Sequence, residues 1–223
     1  MAPPIAREGD DDEQRSAADE LAPIRPPAGL RLPPADQQAP VWDVPLASGR
    51  PHPAFWLLGA HGGACVSSLA RTWAPAADAR QGWPAQDRYR GVVVVARTHR
   101  EGLDAAHSLL LQAAGGRIGG CALLGLVTVP DQPGSLPATL RRRRDVVESA
   151  APQYWRVPYL PDYRTLTYDQ MPVWSPKDAP VTTTRLQRAT TRWNRDGALA
   201  YPDPDLVVIG SAIFDAARQA MAR

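Results

Sequence analysis

The chain reads as an α/β domain of three layers on a mostly parallel sheet, preceded by an acidic, proline-rich tail. Three observations predict this. Val92-Val93-Val94-Val95-Ala96 is an unbroken and mostly β-branched run, the pattern of a strand buried on both faces. A second apolar run at 121–129 follows one helix-length segment later, and residues 154–160 make a last core strand after another. Short joints between alternating strands and helices imply right-handed crossovers, hence a parallel sheet with helices packed on it.

The elements follow in order. Residues 1–40 hold Asp10-Asp11-Asp12-Glu13 and eight prolines, with too few large apolar groups to offset the entropy of ordering. They are predicted disordered, with a helical turn near 16–21. Residues 42–53 read as an extended lead-in, 55–58 as a short strand ending in Gly59, and 66–73 as a short helix. Thr98 and Glu101 have capping-box spacing and open a helix with Leu103, Ala106, Leu110 and Ala113 on its apolar face. Gly115-Gly116 ends it. Ser135 as N-cap with Pro137 in the first turn opens a second helix to about Ser149. Beyond 166 the pattern weakens: 171–180 is extended, and 181–193 is Thr/Arg-rich with faint helical periodicity. Asp203-Pro204-Asp205 then starts a terminal helix whose stripe of Leu206, Ile209, Ile213, Ala217 and Met221 must pack on the domain's own sheet or on a partner. Leu206 to Ile209 could alternatively form a short strand. The predicted organisation is a tail (1–40), an α/β domain (41–166) and a C-terminal extension ending in a helix (167–223).

Composition narrows the class. With 223 residues, 44% hydrophobic and 22% charged, the chain suits one soluble globular domain plus tails. Its 24 arginines against a single lysine, Lys177, reflect a GC-rich coding bias, so the arginine count does not argue for nucleic acid. Charge is uneven: residues 1–50 carry net −4 and residues 51–223 net +6. Cys65 and Cys121 sit among apolar or small residues and read as small hydrophobes in a reducing compartment. No apolar run approaches the roughly 18 residues of a membrane span, and the first twelve residues lack a signal core. The expectation is a cytoplasmic protein.

The chemistry concentrates at residues 55–69, where an apolar run turns through Gly59-Ala60-His61-Gly62-Gly63-Ala64-Cys65-Val66 into Ser67-Ser68. This is the outline of a phosphate-binding loop without its lysine. Such loops wrap backbone N–H groups around phosphates, set a lysine on the β/γ oxygens and hold Mg²⁺ with a Ser/Thr hydroxyl.

The loop resembles that of the ParA/MinD-type P-loop ATPases, whose pattern is Lys-Gly-Gly-x-Gly-Lys-Thr followed by Thr or Ser. Without gaps, His61 falls on the first lysine and Gly62 and Gly63 on the two glycines. Ala64 takes the free position, Cys65 the next glycine, Val66 the phosphate lysine, and Ser67 and Ser68 the hydroxyl pair. The resemblance runs through residues 55–166: the valine-rich strand, then Leu123-Leu124-Gly125-Leu126-Val127, then Trp155-Arg156-Val157-Pro158-Tyr159-Leu160 succeed one another like the last strands of that family. The combination also resembles lysine-poor P-loop-like proteins of actinobacterial chromosomes and mobile elements. In the ATPases, an acid-ended strand carrying a switch loop stands between the P-loop helix and the valine-rich strand. Here 74–91 holds Pro75, Gly82, Pro84 and no apolar run, with Asp78 and Asp87 its only acids, so that strand is expected to be missing.

The resemblance implies a reduced P-loop fold with His61, Gly62, Gly63, Ala64, Cys65, Ser67 and Ser68 as the ligand-binding residues, no catalytic residue and no metal site. The expected role is a catalytically degenerate binding or scaffold module, without turnover. The ligand expected is weak ATP, GTP or phosphate, or the acidic tail itself. A protein partner or a second copy is expected, with no direct indication of nucleic acid; DNA segregation, conjugation or mobile-element processes are suggested by family analogy alone. The alternative is an NTPase whose cation comes in trans from a partner, as an arginine finger does.

Other candidates carry plain readings beside functional ones. His61 could donate to a phosphate or be satisfied by backbone, and Ser67 and Ser68 could contact a ligand or cap the helix. Cys65 at a helix N-terminus could have a lowered pKa, though small-residue packing is simpler. Arg141 to Arg144 are spread about 100° apart around a helix, and Arg141/Asp145 and Arg144/Glu148 have i,i+4 spacing, which reads as a solvated face. His99 and Arg100 border the crevice at the end of the valine-rich strand. His107 reads as a helix-surface residue.

Overall fold

The computed structural model describes residues 29–46, 52–85, 89–178 and 199–222. The architecture is α/β: five strands, β1 (Phe55–Gly59), β2 (Ala76–Asp78), β3 (Gly91–Arg97), β4 (Ala122–Val129) and β5 (Tyr154–Arg156), form one sheet in the order β2-β1-β3-β4-β5. Every pairing is parallel. Helices α1 (Val66–Thr72), α2 (Arg100–Ala114), α3 (Ala138–Ser149) and α4 (Pro204–Met221) flank it.

Alternation along the strands builds a core on each face of the sheet. Phe55, Leu57, Val93 and Val95 pack with Leu69 of α1 and Leu206, Ile209 and Ile213 of α4. Trp56, Leu58, Val92 and Val94 pack on the other face with Leu103, Ala106 and Leu110 of α2 and Val147 of α3. Each buried Val, Leu, Ile or Phe among them stabilises the fold by about 1.5–3 kcal/mol. The terminal stripe therefore docks on its own sheet, as a helix and not as a strand; Met221 alone of the stripe is exposed. Asp203 caps α4 by accepting from Asp205 N–H at 3.0 Å. Trp73 Nε1 donates to Leu206 O at 2.8 Å. A Cβ on Gly210 would come within 2.8 Å of both Trp73 and Trp174, so only glycine lets α4 approach so closely.

Several sequence expectations are corrected. The acid-ended strand is present: Ala76, Ala77 and Asp78 pair in parallel with Phe55, Trp56 and Leu57. The sequence does not signal it, because Ala76-Ala77-Asp78 makes no apolar run and alanine and aspartate are poor strand formers. The strand at 154–160 is shorter, Tyr154–Arg156, and lies at the sheet edge with its side chains largely exposed. Helix α2 is capped not by Thr98 but by His99, whose Nδ1 accepts from Gly102 N–H at 3.0 Å. Helix α3 begins after Pro137 with no side-chain cap, so Ser135 is not its N-cap.

Part of the stretch assigned to the tail lies against the body. Ala35–Gln37 makes a 3-10 turn. Ala39 N–H donates to the buried Gln112 Oε1 at 3.0 Å, and Gln112 Nε2 donates to Ala39 O at 2.8 Å. Trp42 N–H donates to Trp83 O at 2.9 Å, while Trp83 N–H donates to Pro40 O at 2.8 Å. Asp10 to Glu13, the turn near 16–21, Asp87 and the weak helix at 181–193 lie outside the described residues.

Candidate functional site

From β1 the chain goes to β2 on one side, whereas from β3 it goes to β4 on the other. In an open α/β sheet, the crevice at the C-terminal ends of such diverging neighbours is where ligands bind. The 59–68 loop emerges there from β1, and Arg97 and His99 emerge there from β3.

The loop's conformation follows its small residues. Gly63 takes φ 78° and Cys65 φ 69°, so a side chain does occupy a left-handed position at the N-cap of α1, at a cost of roughly 1–2 kcal/mol. Ala64 and Val66 turn inward and are buried in the core beneath the loop. A Cβ on Gly59 would lie 3.2 Å from Val66 Cγ2, which ties that glycine to the valine. At the position matched to the phosphate lysine, the side chain is therefore a piece of core.

His61 is fully engaged with backbone. Arg97 N–H donates to its Nε2 at 3.1 Å, and because that N–H can only donate, the ring proton resides on Nδ1 and is given to Gly62 O at 2.8 Å. The ring also meets His99 edge-on, with centroids 4.7 Å apart. His61 thus clasps loop to strand and has no donor left for a phosphate.

The hydroxyl pair behaves differently from a cap. Cys65 is the N-cap, and Ser67 and Ser68 lie in the first turn of α1. Ser67 Oγ donates to Asp78 Oδ2 at 3.3 Å, and Arg80 N–H donates to Asp78 Oδ1 at 2.8 Å. Residues Gly59, His61, Gly63 to Ser68, Asp78, Arg80 and Gln81 line one cleft of about 560 Å³. Gly62 borders this turn, its Cα side facing the Gln81 amide. The segment after β2 is held in a rarely populated conformation, φ 53° at Arg80 and 60° at Gln81.

Sequence reasoning missed Asp78, Arg80, Gln81 and Arg97 as site residues. Arg97 Nη2 donates to Cys65 Sγ at 3.2 Å and Nη1 to Asp131 Oδ1 at 3.0 Å. The hydrogen bond to Cys65 first, and that to Asp131 after it, raise the Arg97 pKa against the opposing effect of burial. These contacts join positions 32 and 34 residues apart, and no local spacing signals them. His99 and Arg100 do not line the cleft: His99 caps α2, and Arg100 is exposed beside Asp104 at 3.6 Å. His107 is half-buried against Arg143, and burial followed by that charge lowers its pKa.

For a Mg²⁺-nucleotide, the metal side fits in part, since Ser67 and Asp78 offer a hydroxyl and a carboxylate within one cleft. The phosphate side does not fit, because Val66 offers no charge. No cluster of three or more His, Cys, Asp or Glu residues suited to a metal occurs among the described residues. No helix among them is long and apolar enough to cross a membrane.

Fold and loop together define an α/β protein with a phosphate-loop-like turn at its switch point. The chain belongs to DUF6668, a family of unknown function, whose model matches residues 53–177. That span covers the whole sheet and the cleft. No curated protein and no solved structure matches the chain.

Proposed function

We propose that the protein is a catalytically degenerate, ParA/MinD-like P-loop module of the cytoplasm that binds an anionic ligand in the 59–68 loop cleft and does not transfer phosphoryl groups. One observation carries the reading: Val66, matched to the phosphate lysine, is 9% exposed and part of the core. No rotamer change can bring charge to that position. The strand order and the loop at the β1/β3 crevice support the resemblance, and Arg80 and Arg97 supply positive charge from neighbouring segments. Arg97 does not replace the lysine, since it is already bonded to Cys65 and Asp131. Binding is therefore expected to be weak and turnover absent.

A second reading is favoured by one specific contact, the Ser67–Asp78 pair. It retains the hydroxyl and the carboxylate that a metal-nucleotide requires, and so fits an NTPase whose missing cation arrives from a partner protein. Both readings require a ligand in the cleft. Calorimetry with ATP, GTP, their diphosphates and inorganic phosphate at millimolar concentration tests this; heat lost in Ser67→Ala and Arg80→Gln supports a site there. No heat from any of these would remove both readings.

A further inference from the structure

A second cleft, of about 280 Å³, opens where β3, β4 and β5 end, lined by Thr98, Thr128, Ser135, Arg141, Arg144 and Arg156 among others. It is linked to the first by the Arg97–Asp131 pair, because Asp131 N–H donates to Thr98 Oγ1 at 3.3 Å. Three arginines in one small cavity need an account.

Two of them are held by a buried carboxylate. Glu148, 2% exposed, accepts from Arg156 Nη2 at 2.6 Å and from Thr128 Oγ1 at 3.3 Å, and lies 3.7 Å from Arg144 Nε. Asp145 completes the set, accepting from Arg144 Nη2 at 3.0 Å and Arg156 Nη2 at 3.3 Å. All these bonds use the Nε and Nη2 groups. The Nη1 group of Arg144 and of Arg156 makes no hydrogen bond among the described residues, although a guanidinium carries five donors. Arg141 forms no ion pair among the described residues. Three positive charges face two negative ones, and the acids fix the orientation of two guanidinium planes while leaving one edge of each unused.

We propose that this cleft binds a small ligand bearing a phosphate-type oxyanion, held by Arg141 with the free Nη1 groups of Arg144 and Arg156. Preoriented guanidinium groups match the several acceptor oxygens of such an anion, and little side-chain entropy remains to be lost. Ser135 adds a neutral donor from the loop before α3. The volume lies below the roughly 300–1,000 Å³ of drug-sized sites, so the ligand is an inorganic oxyanion or a phosphomonoester of a few carbons.

The test is a titration of the ¹⁵N-labelled full chain with inorganic phosphate, followed by NMR. Saturable shifts are expected at Ser135, Arg141, Arg144 and Arg156. Arg141→Gln, at an exposed position whose side chain has no partner among the described residues, should leave the fold's spectrum intact and weaken those shifts' apparent affinity by about tenfold or more. Shifts at Gly62 and Gly63 report the loop cleft separately and should be unaffected by this substitution. The proposal is overturned if the Arg141, Arg144 and Arg156 signals do not move, or move with the same affinity in Arg141→Gln. It is also overturned if their response vanishes in Ser67→Ala, which would assign the anion to the loop.

Discussion

Gly102, beside the loop, has no room for a side chain. A Cβ there would stand 2.6 Å from Arg97 O and 2.8 Å from His61 Nε2, the atom that accepts the Arg97 N–H. Gly102→Ala must therefore push His61 off its strand, and a destabilisation of about 1–3 kcal/mol is expected, read as a lower urea midpoint; an unchanged midpoint would mean the clasp is slack. The cysteines divide in the same way. Cys121 donates to Pro84 O, and burial pushes its pKa from 9.0 up to about 11. The folded state then keeps its proton where the unfolded state loses it, so this contribution to stability is present below pH 9 and falls away as pH rises towards 11. A thiol reagent at pH 8 should accordingly label Cys65 in the folded chain and spare Cys121 until urea is added; equal labelling of both would contradict the assignment. Gly63, Cys65 and Val66 were legible from the loop's own spelling. Arg97 was not, since its meeting with Cys65 depends on two adjacent parallel strands and on no sequence period.

Among the elements, legibility followed side-chain size. The valine run of β3 and the apolar run of β4 were plain, whereas β2 is three small residues that become a strand only because β1 supplies the ladder. That short strand changes the site, because it sets Asp78 against Ser67. What holds the segment after β2 comes from the lead-in, 37 residues earlier: Trp42 Nε1 donates to Ala79 O at 3.0 Å, and a Cβ on Gly82 would fall within 2.4 Å of the Trp42 ring. The lead-in thus pins the turn that carries Arg80 and Gln81. In Trp42→Ala, hydrogen exchange should quicken at Gly82 and Trp83 while the β3 amides keep their protection. Unchanged exchange at those two amides would show that the strap does not restrain the turn.

For the molecule as a whole, sequence periodicity sufficed for the α/β class and the parallel sheet, because both depend on runs of large apolar residues; the terminal stripe left its own sheet and a partner open, and only the structure docks it on the sheet. The site was only half legible, since its loop is contiguous but its acid and its cations converge from β2 and β3. On the proposed reading, this convergence leaves an anion cleft without the machinery of phosphoryl transfer, because Val66, at the decisive position, belongs to the core. The most direct measurement is Mg²⁺-dependent phosphate release from ATP and GTP by the purified full chain, run beside Ser67→Ala. No release above that of the variant is expected. Release by the wild-type chain that Ser67→Ala abolishes would contradict it.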